Sequence, residues 1–205
     1  MLDKHILDKI KLKKPFFLKG VLKNIFSWTD LENLLNLRPF CNDSRFKIAG
    51  RPYQYSWPDE AWLSDINSFP PKLIDDIINK EVCYVIDASR VNKKINDICN
   101  NIESQCGWKT DAHIYFSLRV QEYGFGKHND PRHNLITQVE GKSVINVWSD
   151  DDKILIDEVM EPGDIVFIPE KINHQIIPKT KRISISIPCE NIDMPTQDRH
   201  WINLL

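Results

Sequence analysis

The second half of the chain, from Asp111 onward, consists of short strand-forming stretches separated by turn residues. Gly141, the run Asp150 to Asp152, Pro162-Gly163 and Pro178 mark the turns. Strands this short and this closely spaced pair most readily with their neighbours in an antiparallel arrangement. The pattern therefore predicts a small antiparallel barrel or jelly roll. Its seven strands are predicted at 112–120, 133–139, 143–148, 153–159, 164–168, 174–177 and 181–187.

The first half of the chain mixes helical and extended patterns. A capping box at Thr29-Asp-Leu-Glu32 predicts the start of one helix, and Pro39 predicts its end. Together the two halves predict an α+β fold with a mostly β core and helices packed outside it. We expect a single domain, in which 1–110 flanks the barrel, 111–190 forms it and 191–205 is a tail. Further helices are predicted at 1–14, 70–80 and 91–107, and strands at 15–20 and 82–86.

Composition excludes several classes of partner. With 205 residues, 41% of them hydrophobic, and a net charge of −2, the chain resembles an ordinary globular domain and carries no signature of a nucleic-acid or membrane-surface binder. The five cysteines form no C-x-x-C pair, no apolar run is long enough to cross a bilayer, and no signal peptide is evident. We therefore expect a cytoplasmic protein. The segment Trp201 to Leu205 is apolar enough to dock on the domain itself or on a second copy, as in a homodimer.

A histidine and a carboxylate stand two positions apart at His128-Asn129-Asp130. Residues at i and i+2 of an extended segment share a face, so both side chains can reach one metal ion. A second histidine, His174, follows the apolar strand 165–168 and a turn at Pro169, an order that returns it to the same end of a barrel. Two histidines and one carboxylate form the facial triad that binds non-haem Fe(II) with positions left open.

Several motifs together resemble the JmjC-like Fe(II)- and 2-oxoglutarate-dependent oxygenases of the cupin superfamily. The resemblance covers most of 14–188, and its specific motifs lie within 115–188. The motifs are His128-Asn-Asp130, Asn134-Leu-Ile-Thr-Gln138-Val-Glu-Gly141, Pro162-Gly163-Asp164-Ile-Val-Phe-Ile-Pro169 with His174, and Ser184-Ile-Ser186; Lys14 to Gly20 and Trp28 are similar to the first strand of that family.

This resemblance implies a fold, a chemistry and a set of roles. The fold is a double-stranded β-helix, also called a jelly-roll or cupin barrel. His128, Asp130 and His174 would bind Fe(II) and act as the catalytic centre, and Asn134 would hydrogen-bond 2-oxoglutarate. With 2-oxoglutarate and O2 as partners, the implied activity is hydroxylation of a protein side chain or a small molecule.

Two positions depart from the family pattern. The family often places a lysine, which pairs with 2-oxoglutarate, two positions after the glycine of its Gln-x-x-Gly segment. Here Ser143 occupies that position, and the lysine comes one residue earlier, at Lys142. A shift of one residue reverses the face on which a strand side chain lies, so an outward-pointing Lys142 is one expectation. Phe125 stands where the family often has Ser or Thr, three positions before the first histidine.

The last predicted strand offers another group to bind the carboxylate. Isoleucines alternate with Arg182, Ser184 and Ser186, so one face of this strand is apolar and the other polar. If the polar face lines the barrel, Arg182 can bind a carboxylate through two hydrogen bonds with Ser184 beside it. Other 2-oxoglutarate oxygenases have a similar Arg-x-Ser on the strand that follows the distal histidine. Arg182 and Lys142 therefore remain two alternatives for this role.

Two other function classes remain open. A cupin-type metalloenzyme that does not use 2-oxoglutarate would keep the triad and need no group to bind the cosubstrate. A non-catalytic binding module would use the barrel as a scaffold and the aromatic stretch 46–62 as a contact surface. The remaining histidines in the barrel are expected to be structural, with His133 facing outward or lying behind the ligands and His113 satisfied within the barrel.

Overall fold

The protein is described from a computed structural model that covers residues 2–37, 46–48, 51–52, 82–120 and 124–190. Within these residues, three helices precede most of the barrel: α1 (Lys4–Lys11), α2 (Trp28–Leu35) and α3 (Lys93–Cys106). The strands are β1 (Phe16–Leu18), β2 (Phe46–Ile48), β3 (Arg51–Pro52), β4 (Cys83–Val85), β5 (Lys109–Thr110), β6 (His113–Ser117), β7 (His133–Glu140), β8 (Ser143–Trp148), β9 (Ile154–Met160), β10 (Ile165–Ile168), β11 (His174–Pro178) and β12 (Arg182–Glu190).

The strands form a larger and a smaller antiparallel sheet. The larger sheet runs β1-β10-β7-β12-β6-β4-β2-β3, with β5 paired to β12, and the smaller sheet runs β11-β8-β9. From β7 to β12 the chain passes back and forth between the two sheets, with β7, β10 and β12 in the larger sheet and β8, β9 and β11 in the smaller one, which is the arrangement of a double-stranded β-helix. The predicted jelly-roll fold with helices packed outside is therefore confirmed.

Strand alternation divides the core into two layers. Between the sheets lies an apolar layer that includes Ile145 and Val147 of β8 and Val166 and Ile168 of β10. Behind the larger sheet, neighbouring residues of the same strands, such as Ile165 and Phe167, pack against the helices. Because successive strand residues point to opposite faces, one strand supplies both layers. β10 is accordingly buried along its whole length.

β12 lies between β7 and β6 in the larger sheet and divides its side chains in the same way. Ile183, Ile185 and Ile187 pack in the layer behind the sheet. The alternate residues of β12 point between the two sheets, where Arg182, Ser184 and Ser186 line a pocket. The polar face of this strand therefore lines the inside of the barrel.

The helices begin and end close to the predicted positions, with one correction. The N-cap of α2 is Ser27, whose hydroxyl accepts a hydrogen bond from the Asp30 backbone N–H. The capping box predicted at Thr29 was therefore wrong, because Thr29 already lies inside the helix. α3 ends as predicted at Gly107, which adopts a left-handed conformation with φ of 71°.

Several predicted features lie outside the described residues. They include the helix at 70–80, the tail at 191–205 and the aromatic residues Tyr53, Tyr55, Trp57 and Trp62. Phe46, from the same aromatic stretch, is described and is fully buried. Among the described helices, none combines the length and the apolar character needed to cross a membrane.

Candidate functional site: a His-Asp-His cluster beside a buried arginine

The segment before β7 meets the start of β11 at one end of the barrel. The His128 N–H donates to the His174 carbonyl at 3.0 Å, and the His174 N–H donates to the His128 carbonyl at 2.7 Å. This pair of hydrogen bonds extends the smaller sheet beyond β11. Because the two residues are directly opposite each other, their side chains emerge together, with ring centroids 4.4 Å apart.

Asp130 completes a cluster of three metal-ligating side chains. One potential ligand atom from each of His128, Asp130 and His174 lies within 4.8 Å of the others. The Asp130 carboxylate lies 3.6 Å from Nε2 of His174, measured from Oδ2. The backbone carbonyl of Asp130 accepts a hydrogen bond from the Lys171 N–H at 2.7 Å, which ties this loop to the segment that leads to His174.

Both imidazoles are oriented by backbone carbonyls. Nδ1 of His128 lies 2.9 Å from the Gly126 carbonyl, and Nδ1 of His174 lies 3.1 Å from the Ile172 carbonyl. A carbonyl oxygen only accepts, so in each ring Nδ1 carries the proton and donates it. The lone pair of the neutral ring is therefore on Nε2, the atom available for a metal.

Burial favours the neutral form of His174. The side chain is 3% exposed. Desolvation is the main cause that lowers its pKa below the usual value, and the nearby His128 lowers it further, while the Ile172 carbonyl and Asp130 act in the opposite direction. A histidine that stays neutral keeps its Nε2 lone pair free for a metal ion at neutral pH.

Arg182 lies in the same pocket and is almost completely buried. Its Nη1 donates to Ser184 Oγ at 2.6 Å, and Ser184 Oγ donates to Gln138 Oε1 at 3.1 Å. Nε of Arg182 has no hydrogen-bond partner, and none of the ion pairs among the described residues involves this guanidinium. Burial lowers the pKa of Arg182 to about 10, which still leaves it charged at neutral pH. The pocket therefore contains a buried cation that has no anionic partner in the described part of the chain.

Aromatic side chains form one wall of the pocket. The Tyr84 and Tyr115 rings stack with centroids 4.7 Å apart, and Phe125 meets Tyr115 edge-on at 5.9 Å. Burial raises the pKa of Tyr115 and keeps its hydroxyl protonated. Gly124 permits the turn that carries Phe125, because its φ is +58° and a side chain there would collide with the Ile176 carbonyl. The pocket is lined by Tyr115, Phe125, His128, Asp130, Ile136, His174, Ile176, Arg182, Ser184 and Ser186.

The remaining site residues that the sequence predicted are divided between the metal end of the pocket and the outside of the barrel. Asn134 lies at the metal end, where its Nδ2 donates to Asp130 Oδ2 at 2.6 Å. Lys142 is exposed, and its ammonium lies 2.6 Å from Glu161 Oε1, outside the pocket. Ser143, the next residue, is fully buried. The structure brings together six of the predicted site residues: His128, Asp130, His174, Asn134, Arg182 and Ser184. It separates Lys142 from them.

Two histidines that were expected to be structural are placed as follows. His133 points to the face of β7 opposite the pocket, but it is buried against Trp108, with ring centroids 4.9 Å apart, and does not face solvent. His113 is half-buried, and its Nε2 lies 3.5 Å from Asp111. The sequence interpretation assigned no role to Ser186, although its alternation with Arg182 and Ser184 was the signal that placed it on the pocket face.

Comparison with known proteins supports the resemblance seen in the motifs. A family model for the JmjC domain matches residues 143–196, which include β8 to β12 and His174. This match confirms the resemblance to JmjC-domain proteins over that part of the chain. No curated protein sequence matches the chain.

Solved structures with a similar fold include those of an Escherichia coli ribosomal oxygenase, YcfD. One of them shares 19% sequence identity at a TM-score of 0.63, with 96% of this chain and 53% of that chain covered. A second YcfD structure, in complex with cobalt and 2-oxoglutarate, shares 20% identity at a TM-score of 0.58, with 89% of this chain and 49% of that chain covered. At this level of identity the similarity shows the shared fold, and the chain spans about half the length of the structures it matches.

Proposed function

We propose that this protein is an Fe(II)- and 2-oxoglutarate-dependent oxygenase. The observation that carries the proposal is the combination of two groups in one pocket: a His-Asp-His cluster and a buried guanidinium for which the described residues provide no anionic partner. The His-Asp-His cluster can bind a metal ion. A dicarboxylate that chelates this metal through one end can pair its other carboxylate with the guanidinium.

The donor set fits a divalent iron ion. Two neutral imidazoles that expose Nε2 and one carboxylate form the facial triad of non-haem Fe(II) sites, which leaves coordination positions open. When bound there, Fe(II) would supply the oxygen chemistry that no side chain can perform. The residues His128 and His174 contribute by keeping Nδ1 on backbone carbonyls, which fixes the direction of each Nε2 lone pair before a metal arrives.

Arg182 is the residue we assign to the far carboxylate of 2-oxoglutarate. Its guanidinium is buried, is joined to Ser184, and retains an unpartnered Nε. A buried unpaired charge is costly, so a carboxylate that pairs with it gains more than one that meets a solvated lysine. Lys142 is not suited to this role, because its ammonium already pairs with Glu161 on the outside of the barrel.

The pocket walls would protect the chemistry from bulk water. Ile136 and Ile176 contribute apolar surface to the pocket lining, and Phe125 and Tyr115 lie beside His128 and Asp130. In a site that excludes water, the attraction between the guanidinium and a carboxylate is stronger than in bulk solvent. The neutral Tyr115 hydroxyl, whose pKa is raised by burial, can donate a hydrogen bond in this setting.

Similar structures are consistent with this proposal. The E. coli ribosomal oxygenase has been solved with cobalt and 2-oxoglutarate and with cobalt and succinic acid. By analogy, we infer that this chain binds 2-oxoglutarate and O2 and hydroxylates a protein side chain or a small molecule.

Consumption of 2-oxoglutarate tests the activity. The protein is incubated aerobically with Fe(II), ascorbate and 2-oxoglutarate, and succinate is followed by proton NMR. We expect succinate above the level of a protein-free control, and none above that level for His174→Ala. If the wild-type protein forms no succinate, with or without candidate substrates, the proposed activity is wrong. Iron binding without any 2-oxoglutarate binding would instead favour a metalloenzyme that does not use this cosubstrate.

A further inference from the structure

Asn134 makes contacts that suggest a role different from the one its family resemblance implies. We propose that Asn134 is a positioning residue for the metal ligand Asp130, and that Ser186 holds Asn134 in the required orientation. The inference rests on the proposed function only as far as Asp130 binds a metal. It does not depend on 2-oxoglutarate.

Hydrogen bonds determine the orientation of the Asn134 amide. The Ser186 hydroxyl donates to Asn134 Oδ1 at 3.2 Å, and Asn134 Nδ2 donates to Asp130 Oδ2 at 2.6 Å. An ionised carboxylate accepts but cannot donate, so the amide nitrogen must face Asp130 and the amide oxygen must face Ser186. The arrangement is a directed chain from the hydroxyl through the amide to the carboxylate.

Asp130 lies on a loop, and residues on two rigid strands hold its side chain in place. Asn134 and Ser186 are buried on the adjacent strands β7 and β12, which pair at Ser186 and Ile136. Asp130 lies before β7, and 39% of its side chain is exposed. A half-exposed aspartate rotates among several conformers unless a neighbour fixes it. A hydrogen bond from a buried amide fixes the carboxylate near His174 before a metal binds.

The polar residues of β12 belong to two different hydrogen-bond networks. Ser184 is joined to Arg182 and Gln138, and Ser186 is joined to Asn134 and Asp130. Among the described residues, no hydrogen bond joins these two networks. Loss of the hydrogen bonds of Asn134 should therefore weaken metal binding and leave binding at the guanidinium end unchanged.

Metal and cosubstrate titrations of variants of the full chain test the inference. Co(II) binding is measured by its visible absorption, and 2-oxoglutarate binding is then measured by calorimetry at saturating Co(II). We expect Asn134→Ala to weaken Co(II) binding by about 10- to 100-fold, the range for partners that orient a metal ligand. The dissociation constant of 2-oxoglutarate at saturating metal should change by less than about 3-fold, because the group that binds its far carboxylate is intact.

A milder variant and a matched control accompany this change. Ser186→Ala leaves Asn134 in place without its hydroxyl donor, so we expect a smaller loss of Co(II) affinity in the same direction. Asn146→Ala removes an exposed amide that pairs with Asp157 on the smaller sheet, and Co(II) binding should stay unchanged. Circular dichroism of each variant shows whether it is folded, and Ser186→Ala serves as the test if Asn134→Ala does not fold.

Two results would overturn the inference. If Asn134→Ala or its substitute Ser186→Ala binds Co(II) as tightly as the wild type, the hydrogen-bond chain does not position Asp130. If the wild type binds no Co(II) at all, the inference fails together with the proposed metal site. Wild-type protein that binds Co(II) tightly but binds no 2-oxoglutarate would contradict the proposed activity alone. In that case the effect of Asn134→Ala on Co(II) affinity would still support the positioning role.

Discussion

The two ends of the pocket differ in how far their polar groups are satisfied by the protein itself. At the metal end, both imidazoles donate to backbone carbonyls and Asp130 accepts from Asn134, so each ligand is already oriented. At the other end, the buried Arg182 donates to Ser184 and keeps an unpartnered Nε. The first end is organised by hydrogen bonds, whereas the second contains an uncompensated charge.

This difference shows what each end requires from a ligand. An oriented set of neutral nitrogens and one carboxylate costs little to maintain without a metal, and it binds a cation without rearrangement. A buried guanidinium without a counterion destabilises the fold, and a bound carboxylate relieves this cost. Binding of a carboxylate at the guanidinium end should therefore increase stability, and removal of the Arg182 charge in the absence of ligand should increase it as well.

The largest effect is expected at the metal end. His174→Ala removes a ligand that is 3% exposed and directly opposite His128, so the metal loses one of its three protein donors. We expect Co(II) affinity to fall by about 100-fold or more, because loss of a ligand costs more than loss of the partner that orients it. Absorption titration with Co(II) measures this loss. Retention of affinity within a few-fold would show that the metal site lies elsewhere.

Removal of the charge at the guanidinium end should lower the affinity for 2-oxoglutarate and raise the stability of the protein without ligand. Arg182→Met keeps an unbranched, apolar side chain in place of the arginine stem and removes the charge. We expect 2-oxoglutarate affinity to fall by about 30-fold or more, because truncation of one side of a buried charge pair costs roughly 2 to 5 kcal/mol. Without ligand, the free energy of unfolding should rise by on the order of 1 kcal/mol, since an unpaired buried charge is removed.

Calorimetry and urea unfolding measure the two quantities for Arg182→Met. Co(II) affinity serves as the internal control and should not change. A variant that binds 2-oxoglutarate as well as the wild type would show that another group binds the far carboxylate. A large loss of stability without ligand would show that the guanidinium is compensated in the folded protein.

A histidine outside the pocket provides a contrast with the metal ligands. Desolvation is the main cause that lowers the pKa of His133, which packs against Trp108 and accepts a hydrogen bond from the Glu170 N–H through Nδ1. The folded state therefore resists protonation of His133, and the unfolded chain takes up this proton near a pH of about 6.5. Because the unfolded state then binds more protons, the free energy of unfolding falls as the pH falls below that value.

His133→Gln should lessen this pH dependence. The slope contributed by one such histidine is at most about 1.4 kcal/mol per pH unit, and the variant should lose most of it between pH 7 and pH 5. Urea unfolding at several pH values measures the slope, and Co(II) affinity at pH 7.5 should stay within a few-fold of the wild type. An unchanged slope would show that His133 is not the buried titrating group.

The smallest effect is expected for Lys142→Ala. The Lys142 ammonium and Glu161 form an exposed ion pair, and solvent screening leaves such a pair with little effect on stability. We expect 2-oxoglutarate affinity to stay within about 3-fold of the wild type, because the lysine lies outside the pocket. A loss as large as that of Arg182→Met would reverse the assignment of the two residues.

Strand periodicity predicted much of the fold and of the site. The alternation of polar and apolar residues in β12 predicted one polar face that carries Arg182, and the parity of Lys142 indicated an outward direction for its side chain. Both follow from the two-residue repeat of a strand, which depends only on local geometry. The seven strands after Asp111 were predicted from their short length and from the turn residues that separate them, which is also local information.

Contacts between distant segments were not predictable from the sequence. The hydrogen bond between Asn134 and Asp130 depends on how the loop before β7 folds back, and Ser186 reaches Asn134 only because β12 pairs with β7. The N-cap of α2 was misplaced because Ser27 and Thr29 are both suitable caps, and the choice between them depends on where the chain leaves β1. Position along a strand is local information, whereas pairing between strands is not.

An anaerobic titration of 2-oxoglutarate into the Fe(II)-loaded protein tests most directly whether both ends of the pocket act together. Chelation of Fe(II) by 2-oxoglutarate produces a visible metal-to-ligand charge-transfer band. We expect the band to appear in the wild type, to require much more 2-oxoglutarate in Arg182→Met, and to be lost in His174→Ala. A wild-type protein that binds Fe(II) but forms no band at saturating 2-oxoglutarate would contradict the proposed oxygenase.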